Sequence, residues 1–577
     1  MEELARRFFP PYRRYLIWGP VTKCLEVGFD LLTPLVIAWM IDSGVNAGDT
    51  DVIWQGVGLL AGMAFLGFGV TLICQKMASL ASQGVGTDIR AALIEKMGTF
   101  SAAELDRFGA PTLVTRTTND VNQLQLAISM LIRQLIRWPA LAVGSVVCAL
   151  AIDVPLGLVF CVCLPVLAAV FYLVMSRSVP FFAGMQAKLD AIGRLVRETA
   201  SGVRPIRAFN REAFQEARFR EASQEQADMA VGAGRLTALL SPATFLVMNV
   251  GIACVLWLGG GSVTAGRLEQ GQVMALIGYM NQLLVSIAYI ANLVVIFTRA
   301  AASAERVEEV LACEPTVTDA GVCEQPTETG APVLEMERVS FSFPNAGRPA
   351  LMDVSLVLEP GQSLGVIGGT GSGKSALASL VPRLYDATEG SVRVAGRDVR
   401  DLPLSQLRRL VAFVPQRAEL VSGTVRDNLR WRGEDATDDE LWAALEAAQA
   451  ADFVRRLPEG LDAPVEPNGR NFSGGQRQRL TVARALVEPS ALVVLDDSAS
   501  ALDYATDAAL RRALAHLPGS PARLVISQRI STVSSCDQVL VLDQGQVMGL
   551  GTHDELLAGC PLYREIADSQ LRQEEAA

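Results

Sequence analysis

Four long stretches of this 577-residue chain contain no Asp, Glu, Lys or Arg at all: Val52 to Gln75, Val154 to Ser176, Leu236 to Gly266 and Gln270 to Thr298. Each exceeds the ~20 apolar residues that a helix needs to cross a bilayer. Two further stretches are apolar but carry charges. Tyr15 to Ile41 holds Lys23, Glu26 and Asp30, and Leu124 to Ile152 holds Arg133 and Arg137 near its start. The pattern predicts six membrane spans, at about 15–41, 52–75, 124–152, 154–176, 236–260 and 271–298, an even number that leaves both ends on one side. Composition agrees: charged residues are only 19% of the chain, below the ~25% of soluble proteins, and mean hydropathy is +0.30.

The basic residues set the expected orientation. The segments after spans one, three and five are short and nearly free of Lys and Arg. Those after spans two and four are long and carry Lys76, Arg90, Lys96, Arg107, Arg116, Arg177, Arg194, Arg197, Arg207 and Arg211. By the positive-inside rule these long segments and both termini are cytoplasmic. Leu105 to Gln123 and Leu189 to Glu212 have few helix breakers, so the long segments read as helical extensions of on the order of 40 Å. Met1 to Leu16, with Arg6, Arg7, Arg13 and Arg14 around aromatic residues, lacks the features of a signal peptide and fits a helix lying in the membrane interface. The 10 cysteines form no CxxC pair and read as packing thiols. Nothing in the charge distribution points to nucleic acid.

Near residue 312 the character of the chain changes. Cys313 to Pro332 is rich in Pro, Thr, Gly and Glu and reads as a linker. Beyond it, short apolar strands alternate with helical patterns, predicting an α/β domain over 333–577 that follows the all-α membrane domain over 1–312. The strand candidates are Val333–Phe343, Ser363–Ile367, Leu410–Val414, Ala491–Leu495, Arg523–Ser527 and Gln538–Leu542.

The segment Gly368-Gly369-Thr370-Gly371-Ser372-Gly373-Lys374-Ser375 follows one of these strands and opens a helix, the context a phosphate-binding P-loop requires. Backbone N–H groups and the helix N-terminus surround the phosphates. Lys374 reaches the β- and γ-phosphates and Ser375 binds Mg²⁺. Farther along, Ser473-Gly474-Gly475-Gln476 precedes a helix, and the apolar strand Ala491 to Leu495 ends in Asp496.

With these motifs in this order, the chain resembles an ABC transporter half over essentially its whole length. The resemblance implies ATP and Mg²⁺ as ligands and gives roles to further positions. Phe343 stands where an aromatic residue stacks on adenine. Gln416 matches the Q-loop that touches Mg²⁺, Asp496 the Walker B carboxylate, and Asp503 the D-loop. Gly109 to Val121 and Glu198 to Glu212 resemble the coupling regions of exporters, favouring the six-helix exporter type. In that family two nucleotide domains close head-to-tail, each ATP lying between one partner's Walker motifs and the other's SGGQ.

Three positions depart from the family pattern. Asp497 replaces the hydrolytic Glu after Walker B, which withdraws the carboxylate by roughly 1 Å, a misplacement that costs on the order of 10²-fold in rate. Gln528 replaces the switch His, and an amide cannot exchange a proton near neutral pH as imidazole does. Ala376 replaces the Thr that commonly follows Ser375. Binding elements are kept while hydrolytic ones are altered. The combination resembles the degenerate subunit of bacterial heterodimeric exporters of the multidrug and lipid kind, and so implies a second half-transporter that borrows this intact SGGQ, with small amphipathic compounds as substrate. A homodimer with slow hydrolysis, an exporter-fold importer, for example of siderophores, and an ATP-gated channel are the other readings. Glu26 and Asp30 read either as the wall of a cation-attracting cavity or as members of a local charge network. Pro467, in a segment that touches coupling helices in many exporters, has no clear implication.

Overall fold

The computed structural model describes residues 2–319, 330–344 and 346–576, so half of the expected linker, residues 320–329, lies outside the described residues. The chain divides into two compact units, residues 1–97 with 111–313, and residues 98–110 with 314–577.

The first unit is all helical. A short α1 (Glu2–Phe8) buries Leu4 and Phe8, and a 3-10 turn (Pro10–Tyr12) follows it. Then come α2 (Arg13–Trp39) and α3 (Thr50–Gly98), the latter a continuous 49-residue helix that carries the expected span and its polar extension together. Beyond α4 (Ala102–Phe108), which belongs to the second unit, lie α5 (Ala110–Thr115), α6 (Val121–Arg133), α7 (Arg137–Ile152) and α8 (Val154–Ser201). The unit ends with α9 (Val203–Ala208), α10 (Glu212–Ala238), α11 (Leu240–Thr264) and α12 (Gln270–Ala312). Among the described residues, six helical runs are long and apolar enough to cross a membrane: 10–45, 50–98, 110–152, 154–201, 212–264 and 270–312.

The turn between α7 and α8 shows how tightly these helices meet. Asp153 caps α8 by accepting from Leu156 N–H at 3.0 Å, and Pro155 sits in the first turn, where its missing N–H costs nothing. A Cβ on Gly157 would lie 2.6 Å from Leu150 Cα, so only glycine fits there.

The third span is not the uninterrupted helix that the sequence predicts. It opens between α6 and α7, where the Leu135 N–H reaches back to Met130 O at 3.1 Å. Arg137 then begins α7, with one nitrogen 3.3 Å from Glu26 and another 3.1 Å from Asp30. Glu26 also accepts from Lys23 and, at 2.7 Å, from Thr71. These side chains form an ion-pair network across α2, α3 and α7, the second of the two sequence readings in its geometry. Among the described residues Arg133 stands outside it.

The second unit is α/β. A four-stranded antiparallel sheet has the order β2-β1-β4-β5, from β1 (Leu334–Phe341), β2 (Leu351–Leu358), β4 (Glu389–Val394) and β5 (Arg397–Asp398). The main sheet has the order β12-β11-β3-β10-β9-β6, from β3 (Ser363–Gly368), β6 (Val411–Val414), β9 (Leu492–Asp496), β10 (Ala522–Ile526), β11 (Gln538–Asp543) and β12 (Gln546–Gly551). All its pairings are parallel except the edge pair β11–β12. The strands β3 and β9 are buried on both faces and read as continuous apolar runs. Aliphatic residues of both sheets share one core, among them Leu334, Val354, Val366 and Leu524. The remaining pair, β7 (Gly423–Thr424) and β8 (Pro464–Val465), borders a helical lobe containing α16 (Asp438–Ala447), α17 (Ala451–Arg455) and α18 (Gly474–Leu486).

Candidate functional site

Parallel strands end together, and their carboxyl ends line a crevice in which α/β sheets bind ligands. Register fixes what arrives there. Ile526 pairs with Val366 on one side and Asp496 on the other, and Val414 pairs with Leu495. Four strand ends therefore bring together the P-loop after β3, Gln416 after β6, Asp496 and Asp497 after β9, and Gln528 after β10.

The P-loop turns through two left-handed glycines, Gly371 at φ 80° and Gly373 at φ 102°, a backbone open to Gly at no steric cost. A Cβ on Gly373 would lie 2.4 Å from Ala350 O, and one on Gly368 would lie 2.0 Å from Leu542 O. Thr370 is exposed in the turn. Ser372 and Lys374 are buried, and the Lys374 ammonium donates to Gly368 O at 2.9 Å, Gly369 O at 2.7 Å and Ser372 Oγ at 3.2 Å. At the start of α13 (Lys374–Leu380), the Ser375 hydroxyl donates to Asp496 Oδ1 at 3.1 Å, and Ala376 is packed into the core.

Burial pushes the Asp496 carboxyl above its ordinary range, with Asp497 adding to the shift and the Ser375 hydrogen bond and Lys374 opposing it. Asp497 is also raised, first by burial, against the charges of Lys374 and Arg529 and a side-chain hydrogen bond from Gln416. Lys374 is lowered by burial, although both carboxylates favour its charged form. Two poorly compensated carboxylates beside a serine hydroxyl are a hard-oxygen environment, which fits a Mg²⁺ ion completed by phosphate oxygens. Among the described residues no cluster of three His, Cys, Asp or Glu could hold a metal by itself.

Asp497 adopts φ 47°, and its N–H donates to Ile526 O at 2.9 Å. Its carbonyl accepts from the Ser500 hydroxyl at 2.9 Å, which begins the loop leading to Asp503. Asp503 caps α19 (Tyr504–Ala515) by accepting from Thr506 N–H at 3.2 Å. The Gln528 side chain is exposed on the loop before α20 (Ile530–Val533).

Phe343 joins an aromatic cluster, its ring 4.8 Å from Phe341 and 5.4 Å from Tyr385 at 88°. The cluster adjoins the P-loop because Ala350 N–H donates to Phe341 O at 2.7 Å while Ala350 O faces Gly373. The Tyr385 hydroxyl donates to Asp106 of α4 at 2.5 Å.

Ser473, Gly474, Gly475 and Gln476 lie on a different surface, at the start of α18. Their spacing is a capping box: Ser473 Oγ accepts from Gln476 N–H at 3.3 Å, and Gln476 Oε1 accepts from Ser473 N–H at 2.9 Å. The hydroxyl and the first N–H groups of α18 are thus held at its positive end. Just before it, Pro467 opens a 3-10 turn that carries Asn468 and Gly469 through left-handed conformations. The structure thus brings most of the sequence-predicted residues into two groups, one at the strand ends and one at the α18 N-terminus, with Phe343 in the adjoining aromatic cluster and Asp503 at the start of α19. The sequence reading missed Tyr385, Gln570 and Arg529, the last of which directly follows Gln528.

Comparison with known proteins gives two family matches, the ABC transporter transmembrane region over residues 16–287 and the ABC transporter model over residues 351–500. An uncharacterized ABC transporter ATP-binding protein of Mycobacterium tuberculosis is 38% identical over 570 residues, 98% of each chain. A multidrug efflux ATP-binding/permease protein of Mycobacterium bovis is 31% identical over 562 residues, 96% of this chain and 46% of its own length. An ATP-dependent lipid A-core flippase of Pseudomonas aeruginosa is 33% identical over 510 residues, 88% of this chain and 81% of the flippase.

Proposed function

The chain belongs to the ABC transporter family, and we propose that it is one subunit of an ATP-driven exporter that moves hydrophobic or amphipathic compounds such as drugs, lipids or peptides. Residues 1–312 form its membrane domain and 333–577 its nucleotide domain, in the cell membrane with both termini cytoplasmic. The similarity to a multidrug efflux protein and to a lipid A-core flippase supports this substrate class.

One observation carries the finer reading. The groups suited to hold Mg²⁺–ATP, namely Lys374, Ser375, Asp496, Gln416 and the glycine turn, converge at the strand ends, whereas the hydrolytic positions hold Asp497 and Gln528. Bound Mg²⁺–ATP supplies the phosphoanhydride whose hydrolysis drives transport. Lys374 and the P-loop N–H groups neutralise its phosphates, Phe343 offers a flat apolar face to the base, and Asp497 polarises water poorly from its shortened side chain. The chain's own site therefore holds ATP and turns it over slowly. Its signature segment, Ser473 to Gln476, completes a second site on the Walker motifs of a different half-transporter.

The test is ATPase activity of the purified chain alone and with the product of the neighbouring gene. Low activity alone and strong activity together is expected, and vigorous turnover by the chain alone overturns the two-subunit reading. Uptake into inside-out vesicles fixes the direction of transport.

A further inference from the structure

The C-terminal helix α22 (Pro561–Ala576) lies outside every motif used above. It buries Tyr563 with Val533 of α20, Ile367 of β3 and Val539 and Val541 of β11, and Ala567 one turn on is buried too. Residues 563, 567 and 570 follow a helical i, i+4, i+7 spacing, so Gln570 continues that buried face.

What Gln570 meets is the backbone of the switch loop. Its Oε1 accepts from Ile530 N–H at 2.8 Å, and its Nε2–H donates to Gln528 O at 2.7 Å. Only one orientation of the amide satisfies both groups, because one is a fixed donor and the other a fixed acceptor. Between these anchors, the Arg529 guanidinium donates to Leu502 O at 3.3 Å and Ser500 O at 3.4 Å, and it lies over the Tyr504 ring at 5.1 Å. The loop is thus tied on one side to the C-terminal helix and on the other to the segment that follows Asp497. Three consecutive residues held at both ends leave Gln528 little freedom except at its side chain.

We infer that Gln570 is a positioning residue for ATP retention: by bridging Gln528 O and Ile530 N–H, it sets the backbone from which Gln528 meets the γ-phosphate. The inference rests on the reading of Gln528 as the γ-phosphate contact. A histidine can combine hydrogen bonding with proton exchange, whereas Gln528 can only hydrogen-bond, and a hydrogen bond depends steeply on direction. A fixed loop therefore matters to a site that holds nucleotide.

The experiment measures release of radiolabelled ATP and ADP from the purified full-length chain with Mg²⁺. Gln570→Leu removes both bridges and speeds ATP release on the order of tenfold, with ADP release unchanged because ADP lacks the γ-phosphate. Gln570→Glu keeps the acceptor for Ile530 and loses the donor to Gln528, and it falls between wild type and Leu. Gln528→Ala speeds ATP release similarly, and the double variant Gln528→Ala/Gln570→Leu adds nothing further. Equal acceleration of ATP and ADP release by Gln570→Leu, or no change in either, overturns the inference. If Gln528→Ala leaves ATP release unchanged, the reading of Gln528 itself fails, whatever Gln570 does.

Discussion

Arg137 Nη1 lies 3.3 Å from Glu26 Oε1, joining α7 to α2 inside the apolar part of the chain. The Glu26 side chain is only 10% exposed and that of Arg137 24%. Removing Arg137 leaves Glu26 with Lys23 but strips Asp30 of its partner, so the network keeps one excess negative charge in the apolar part of the chain. Arg137→Met therefore destabilises the membrane unit by about 3–5 kcal/mol, read as a lower melting temperature in detergent. Glu26→Gln combined with Arg137→Met leaves Lys23 and Asp30 in balance and recovers much of the loss. Fully additive costs of the two single changes sink the idea of a coupled pair.

A pH effect follows from Asp497. Burial raises its carboxyl above the ordinary value of about 4, so the folded state binds its proton more tightly than the unfolded chain. Its contribution to stability is then most favourable below that ordinary value and is lost as pH rises through the raised one. Asp497→Asn removes the penalty. The nucleotide-free variant melts higher than wild type at neutral pH, and the difference vanishes below about pH 4. A difference that persists unchanged in acid assigns the effect to another cause.

The six strand candidates read from apolar runs all correspond to observed strands, β1, β3, β6, β9, β10 and β11, and the last five have at most one exposed residue each. Missed were β2, whose Asp353 and Ser355 alternate with buried Val354 and Leu356, the half-exposed β4, the two-residue strands β5, β7 and β8, and the edge strand β12, which has no fully buried residue. An edge or half-exposed strand has no continuous apolar signal. Local motifs were legible for the same reason that they are local: the P-loop and the capping box at Ser473 act through backbone within a few residues. The break at Gln134 to Ile136 was not read, although Pro139 removes the N–H that would reach Leu135 O and so marks it. Nor was the meeting of Gln570 with Ile530, which depends on how a whole helix packs.

The capping box at Ser473 makes a separable prediction. Ser473→Ala removes the cap and costs α18 about 1 kcal/mol, which the folded chain tolerates. In the proposed complex the same hydroxyl faces the partner's phosphate, where a hydrogen bond to a charged group is worth roughly 1.5–3 kcal/mol. ATPase activity of the two-subunit complex should fall on the order of 10- to 100-fold, while ATP retention by this chain alone is unchanged. If both readouts fall together, the serine acts only through the fold of its own domain.

The last prediction concerns Tyr385, which belongs to the aromatic cluster around Phe343 and also donates its hydroxyl to Asp106 at 2.5 Å. Burial pushes the hydroxyl's pKa up, and the hydrogen bond and negative charge of Asp106 push it further, so it stays a donor throughout the working pH range. Tyr385→Phe keeps the ring against Phe343 and removes only the bond to α4. Hydrogen exchange over Ser101 to Gly109 should then accelerate by on the order of tenfold, the equivalent of about 1.4 kcal/mol. ATP affinity is expected to remain that of the wild type, while transport per ATP hydrolysed falls, because the α4 segment is then held less firmly. Asp106→Asn keeps an acceptor without the charge, giving an intermediate exchange rate. Should Tyr385→Phe weaken ATP binding as much as it accelerates exchange, the hydroxyl is serving the aromatic wall and not the link to Asp106.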